Sequence, residues 1–186
     1  MATNEVDAYL GNLDDFARAY LFKIYLTFPT DLKFQDIETT ALYAKSTTLP
    51  DISVEEVSSY FMGQQFRMSS VRRYSDWMVT LYIDKATNMY KALYSWNRLC
   101  HSSESRYGMP KEYMVGYKTN PGRQVVQLYG SEKLDKFDYG EGNKPVMTYY
   151  LNYAWPRTIA NVALDYESNQ FLTMDVTFSF QYYEVE

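Results

Sequence analysis

The stretch that decides the fold is Asp76-Trp-Met-Val-Thr-Leu-Tyr-Ile83, together with the residues that follow it as far as Arg98. In the first part apolar side chains occupy every second position, which is typical of a strand with one buried face. Beyond Asp84 the apolar residues change to helical spacing. They are Ala86, Met89, Tyr90, Leu93 and Trp96. The sequence therefore predicts a strand followed by a helix over about 84–98.

Polar residues mark both ends of this helix. Asp84 is predicted to be its N-cap, because a carboxylate can accept hydrogen bonds from the free N–H groups of the first turn. Arg98 falls in the last turn, where a cation suits the helix dipole. The rest of the chain has strand and loop patterns. We therefore expect a mainly β fold, a sandwich or barrel of antiparallel strands with one flanking α-helix.

Other segments alternate in the same way. The clearest is Phe171–Tyr183, which we predict to be one long, half-buried strand. Trp155-Pro156 is predicted to end the strand that precedes it, and 161–166 is predicted to be a short connection or strand. The remaining predicted strands cover 20–28, 39–48, 124–129 and 147–154.

A long polar hairpin is predicted between the second strand and the helix. Its strands are Ile52–Tyr60 and Gln64–Val71, joined by a turn at Phe61-Met-Gly63. Its polar side chains cannot be buried on both faces, and a free hairpin of this length is marginally stable in water. The sequence therefore predicts that the hairpin pairs with another chain or lines a water-filled space.

The chain divides into an arm and one domain. Residues 1–16 are polar and acidic with scattered apolar residues, too few for a core, so the arm is either disordered or packed on a neighbour. Residues 17–186 are predicted to form a single β domain with long loops at 99–123 and 130–146.

Composition narrows the class of protein. The 186 residues carry a formal net charge of −5, which argues against a general nucleic-acid binder but not against a protein that lets nucleic acid pass. Aromatic residues make up 18% of the chain, including 20 tyrosines. A tyrosine-rich β core and extensive interfaces both account for this abundance.

The sequence has no pattern typical of a disulfide, a signal peptide or a membrane span. Cys100 is the single cysteine, so no internal disulfide forms. Residues 1–7 lack the basic and apolar regions of a signal peptide, and no apolar run reaches the roughly 18 residues of a membrane span. We expect a soluble protein made in a cytoplasm, without a membrane partner.

Chemistry-bearing residues do not form a recognisable site. Cys100 and His101 are sequence neighbours that project in different directions, and together they are too few for a zinc site. Gly140-Glu-Gly142 has no strand before it or helix after it, as a phosphate loop would. The carboxylate pairs Asp14–Asp15 and Glu55–Glu56 lie on extended chain instead of converging on a cleft. We predict neither an enzyme nor a cofactor.

Short motifs along most of the chain carry a family resemblance. They are Asp15-Phe-Ala-Arg18 leading into Leu21-Phe-Lys-Ile24, then Thr40-Ala-Leu42, Thr48-Leu-Pro50, Asp76-Trp-Met-Val-Thr80, the helix with Trp96, Trp155-Pro156, Leu164-Asp-Tyr166 and Tyr182-Tyr-Glu184. In this order and spacing, from about Asp14 to Glu184, the chain resembles the tail tube protein of contractile-tailed bacteriophages.

The resemblance implies a structural virion protein. Six copies would form a ring, and stacked rings would form the inner tail tube, the conduit for DNA ejection inside a contractile sheath. The hairpins would join edge to edge around the lumen. The implied partners are further copies of the chain, the tail sheath protein, baseplate and tail-terminator proteins, and the tape measure protein and DNA in the lumen. The implied location is the virion tail, assembled in the host cytoplasm.

Three groups of residues are assigned to surfaces of such a tube. Glu55 or Glu56 is predicted to give the lumen a repulsive field, since Lys or Arg there would bind phosphate. The candidate lumen-lining residues are Glu55, Glu56, Ser58, Gln65, Arg67 and Ser69. The candidates for contacts between subunits or rings, all in the arm, are Val6, Tyr9, Leu10, Leu13 and Phe16. The outer-surface candidates on the helix are Lys85, Asn88 and Lys91.

Some alternatives stay open. The loops 30–38 and 130–145 look longer than in the family, so their contacts are open. A tube protein of a bacterial contractile injection system and a baseplate tube-initiator paralogue would share these features. A monomeric β-barrel that binds a small ligand through its tyrosines is a function of another class.

Overall fold

The computed structural model describes residues 19–30, 32, 42–100, 114–116, 122–129, 145–167 and 169–186. Within these ranges the chain forms ten strands and a 13-residue helix. In chain order they are β1 Phe22–Tyr25, β2 Ala44–Thr47, β3 Ile52–Phe61, β4 Gln64–Tyr74, β5 Trp77–Tyr82, α1 Asn88–Cys100, β6 Gln124–Leu128, β7 Met147–Asn152, β8 Trp155–Ile159, β9 Thr173–Ser179 and β10 Tyr182–Val185.

Two four-stranded antiparallel sheets enclose one core. The first sheet has the strand order β1-β6-β7-β10 and the second has β2-β5-β9-β8, whereas β3 and β4 form a separate two-stranded sheet. Buried residues of both sheets and of α1 belong to a single apolar cluster. The predicted fold class, antiparallel β-sheets with a flanking helix, is confirmed.

The predicted strand after Asp76 is β5, and it lies inside the second sheet. Trp77 and Val79 are buried and pair with Phe178 and Val176 of β9. The Trp77 indole N–H donates to Thr47 Oγ1 at 2.8 Å, which ties β5 to the end of β2. The alternation of the sequence thus correctly predicted which face of this strand is buried.

Helix α1 covers the core but starts later than predicted. The N-cap assignment of Asp84 is wrong, because the chain first makes a turn in which the Thr87 N–H donates to the Asp84 main-chain oxygen at 2.9 Å. Thr87 has a φ of 57°, and its carbonyl accepts the first helical hydrogen bond, from Lys91 N–H. Of the predicted apolar face, Met89, Leu93 and Trp96 are buried. Tyr90 is half-buried, and Ala86 is exposed and precedes the helix.

The predicted long strand Phe171–Tyr183 is wrong as a single element. It is two strands, β9 in the second sheet and β10 in the first. Between them the Gln181 N–H donates to the Asn152 oxygen at 3.1 Å, which takes the chain across to β7. Alternate residues from β9 onward are buried as far as Phe180, but in β10 Tyr182 is exposed and Tyr183 is half-buried, so the buried side changes where the sheet changes.

Two strand boundaries also differ from the prediction. Trp155-Pro156 does not end a strand but begins β8, an edge strand whose register shifts after Pro156. Proline is tolerated at an edge and at a bulge, because no ladder hydrogen bond needs its missing N–H. Leu42 and Tyr43, predicted to be in a strand, are helical, whereas 161–166 is a connection, one of the two predicted alternatives.

The buried thiol of Cys100 gives stability a pH dependence. Burial raises the pKa of Cys100 from 9.0 to about 12, and the pKa of Tyr129 from 10.0 to about 12. A group whose pKa is higher in the folded state stabilises fully below its unfolded pKa and loses that contribution as the pH rises. Stability should therefore fall above about pH 9.

Cys100→Ala should remove the part of this loss of stability that begins at the lower pH, near pH 9. Between pH 7 and pH 10 the wild type should lose about 1 kcal/mol more than the variant in free energy of unfolding. Urea titrations at both pH values measure the difference, and the cavity left by alanine cancels because its cost does not depend on pH. Equal losses in the two proteins would contradict the assignment.

Candidate assembly interface

The hairpin β3–β4 continues from the second sheet, since β2 leads into β3 and β4 leads into β5. Its strands have 10 and 11 residues, which at about 3.3 Å per residue makes the hairpin roughly 33 Å long. The turn residues Met62 and Gly63 have φ angles of 49° and 78°. Two positive φ values define the turn whose twist matches that of a hairpin. The predicted hairpin and turn are confirmed.

The hairpin is not buried in this chain. Every residue of β3 is exposed, and so is every residue of β4 except Tyr74 at its end. Among the described residues the two strands pair with each other alone, so both outer edges are free. A free strand edge is a template for pairing with a further strand, and a lone hairpin is marginal in water. The geometry is thus that of an element made for contact with another chain.

One face of the hairpin is polar. Cross-strand pairs place Glu56 opposite Ser69, Ser58 opposite Arg67, and Tyr60 opposite Gln65. Gln65 Nε2 donates to Ser58 Oγ at 3.0 Å, and Ser58 Oγ donates to Glu56 Oε1 at 3.3 Å. Arg67 Nε lies 3.4 Å from the same carboxylate oxygen. We call these six residues the polar face.

Towards the turn, the other face is largely apolar. Val57 pairs with Met68 at its centre, and Ser59 pairs with Phe66 closer to the turn. Val57, Met68 and Phe66 are 49%, 54% and 48% exposed. We call Val57, Phe61, Phe66 and Met68 the apolar face. An exposed row of large apolar side chains on a free sheet face marks a contact surface.

Glu55 lies on the face opposite to Glu56, beside a bulge in β4. Val54 pairs with Arg72 and Glu56 with Ser69, so β4 has one residue more than β3 between these pairs. Successive side chains of a strand point to opposite faces, so Glu55 lies on the side of Val57. There it forms an ion pair with Arg73 at 2.6 Å. Of the six predicted lumen-lining residues, the structure brings together five and leaves out Glu55.

An aromatic cluster anchors the base of the hairpin. The Tyr74 ring lies 5.5 Å from Tyr183 of β10 and 5.9 Å from Phe180, and Tyr149 of β7 lies 5.7 Å from Tyr183. Burial, followed by the neighbouring Tyr149, raises the pKa of Tyr183. The cluster joins β4 to the first sheet. The abundance of tyrosine is consistent with contacts between aromatic rings. Only the pairing of the strands, which the sequence does not show, brings these particular rings together.

The predicted outer-surface residues lie at the far end of β5 from the hairpin. Lys85, Asn88 and Lys91 are all exposed, and Lys91 Nζ donates to the Ala86 oxygen at 3.1 Å. The arm residues assigned to contacts between subunits lie outside the described residues, as do loop 130–144 and most of 99–123 and 30–38.

Two other kinds of site were sought. In the ranges that the structure describes, no three His, Cys, Asp or Glu side chains are grouped so that they could bind a metal ion. None of the described helices has the length and apolar character required to cross a bilayer.

These features define a structural protein, a compact β domain that presents a projecting hairpin for assembly. The family model described as phage tail tube protein matches residues 16–186. The chain therefore belongs to the phage tail tube protein family, whose members are structural proteins and not enzymes. No curated protein sequence matches the chain.

Solved structures share the fold. A chain in the cryo-EM structure of the anti-feeding prophage baseplate, 6-fold symmetrised, has a TM-score of 0.60 and 14% identity, with 92% of this chain and 95% of that chain covered. A chain of the anti-feeding prophage tube-terminating cap has a TM-score of 0.61 and 14% identity, over 92% and 91%. A chain of the sheath–tube complex of an extracellular contractile injection system, in its extended state, has a TM-score of 0.53 and 13% identity, over 100% and 98%.

Proposed function

We propose that six copies of this chain close into a ring, and that stacked rings form the inner tube of a contractile tail. The observation that carries the proposal is the hairpin β3–β4, which is exposed on both faces and pairs with no other strand in the described part of the chain. Head-to-tail pairing of each hairpin with its neighbours in a closed ring would remove every free edge. Membership of the phage tail tube protein family supports this use of the hairpin.

The two faces of the hairpin suit the inside and outside of such a barrel. The apolar face would pack against the β domains of the ring, because burial of apolar area is the main gain on association. The polar face would then line the lumen and meet water and whatever passes. In this arrangement the lumen-lining residues are Glu56, Ser58, Gln65, Arg67 and Ser69, and Glu55 belongs to the packed side.

The conduit would carry DNA from a virion tail assembled in the host cytoplasm. The partners would be sheath, baseplate and terminator proteins outside the tube and at its ends, and a tape measure protein and DNA within it. The second candidate is a tube or baseplate protein of a bacterial contractile injection system. It is favoured by the fold shared with chains of the anti-feeding prophage baseplate and cap. A monomeric ligand-binding barrel is disfavoured by the family assignment.

Electron microscopy of the purified full-length protein tests the proposal. Hollow filaments built of six-fold rings are the expected result. Single rings that never extend would instead favour a baseplate initiator, and a protein that stays monomeric at all concentrations would overturn the tube. In the same filaments, α1 with Lys85, Asn88 and Lys91 should lie outside the lumen, towards a neighbour or the sheath. A helix on the lumen side would contradict that placement.

The arm is proposed to bind an adjacent subunit or ring. It carries apolar residues without a core of its own, namely Val6, Tyr9, Leu10, Leu13 and Phe16. Deleting residues 1–13 should shorten the filaments and lower their dissociation temperature, while the thermal unfolding of the dissociated chain stays unchanged. Filament length by microscopy and the two melting temperatures measure this. A deletion that leaves filament length and stability intact would refute the arm contact.

A further inference from the structure

The polar face carries one charge of each sign, close together. Arg67 Nε lies 3.4 Å from Glu56 Oε1, and the two side chains are 67% and 50% exposed. The remaining members, Ser58, Tyr60, Gln65 and Ser69, are uncharged. The face therefore has no excess of negative charge. Glu55 is on the other side, and the charge of Glu56 has a partner.

A close pair of opposite charges has almost no field at a distance. The attraction or repulsion of a single charge falls off slowly, and ions screen it over about 8 Å at physiological salt. For a pair a few Å apart, the two contributions nearly cancel beyond that separation. A phosphate group passing at the distance of a hydrated contact would thus meet a polar wall with no net charge.

Two further charges lie near Tyr183 at the base of the hairpin. Arg72, which pairs with Val54 beyond the bulge, lowers the pKa of Tyr183, whereas Asp51 raises it. A cation and an anion therefore act on the same ring with opposite sign.

We infer that Glu56 masks the charge of Arg67, so that the polar face neither holds nor repels a polyanion such as duplex DNA that moves across it. The inference rests on the proposed function in one respect, namely that this face lies in the lumen of a tube. Without Glu56, each copy would present an unpaired guanidinium, and a cation that neutralises a phosphate gains affinity by releasing counterions. In a ring, six such groups would retard a moving nucleic acid.

The test is DNA binding by full-length protein with E56Q, R67Q and the double variant E56Q/R67Q. A fluorescent 60-bp duplex is titrated at 50 and 200 mM salt and followed by anisotropy. Because both residues are exposed in the single chain, binding is read before assembly as well as on filaments. E56Q should bind more tightly than wild type, and R67Q should not. The double variant should return to the wild-type level.

The size of the effect follows from counterion release. One added phosphate contact steepens the salt slope by about 0.9, so the gain of E56Q over wild type should be roughly 3.5-fold larger at 50 mM than at 200 mM salt. E56A should give the same gain. The inference fails if E56Q binds like wild type, or if the double variant binds like E56Q. Absence of rings by microscopy would overturn the proposed tube function. It would not overturn the masking of Arg67 by Glu56, because DNA binding by the unassembled chain measures that separately.

Discussion

Trp96→Ala is expected to lower the free energy of unfolding by about 3–5 kcal/mol, a large part of the roughly 5–15 kcal/mol that stabilises a domain of this kind. The Trp96 side chain is fully buried and belongs to α1. Its ring lies 5.6 Å from Phe28, which follows β1, and 6.0 Å from Phe178 of β9. The residue thus joins the helix to both sheets, and alanine would leave a cavity where all three meet.

Chemical denaturation measures this loss, with Tyr94→Ala as the matched control. Tyr94 is an aromatic residue of the same helix, but it is 55% exposed and stacks on Tyr90 alone among the rings described. Its removal should cost less than about 1.5 kcal/mol, because little apolar area is returned to water. Equal losses in the two variants would show that α1 does not hold the sheets together as described.

The segments whose burial is decided locally were predictable from the sequence. In β5 and α1 the regular spacing of apolar residues corresponds to one buried face. This spacing therefore predicted both the type of element and core residues such as Val79 and Leu93. The helix start was not predictable in this way. A favourable N-cap residue at Asp84 was overridden by the turn at Thr87, whose positive φ delays the helix by four residues.

The features that the sequence did not predict depend on pairing between strands that are distant in the chain. In Phe171–Tyr183 the apolar alternation of the sequence runs on to Tyr182, although burial on that side ends at Phe180 and β10 packs Tyr183 on the core instead. The period therefore cannot show that the sheets differ. In the hairpin, under-burial was predictable from composition, and strand alternation alone separates Glu55 from Glu56, but the contact of Glu56 with Arg67 was not predictable. That contact depends on the register of the two strands, which exists only once β3 and β4 are paired.

Val57→Asp is expected to abolish assembly while leaving the chain folded. Val57 lies at the centre of the apolar face, paired with Met68 and 49% exposed in the single chain. An aspartate there is solvated before assembly, so the free energy of unfolding should change by less than about 1 kcal/mol. Burying its carboxylate in a contact between copies would cost about 3 kcal/mol or more, which weakens each contact by over 100-fold.

Ser58→Asp is the control that distinguishes the effect of a charge on the apolar face from the effect of a charge anywhere in the hairpin. Ser58 is the next residue of the same strand, receives the same new charge, and lies on the polar face opposite Arg67. If that face lines a water-filled lumen, the aspartate stays hydrated and gains a cross-strand partner, so rings and filaments should form as in wild type. Sedimentation velocity and electron microscopy of both variants provide the comparison.

The pair of variants separates three arrangements of the hairpin. Loss of filaments with Val57→Asp alone places the apolar face in the contact and the polar face in the lumen. Loss with Ser58→Asp alone would reverse the two faces, and the mask on Arg67 would then act within an interface. Loss with neither variant would mean that the strand edges alone hold the copies together. Because adjacent residues of a strand differ in face but hardly in distance from the edge, only the orientation of the hairpin explains a difference between them.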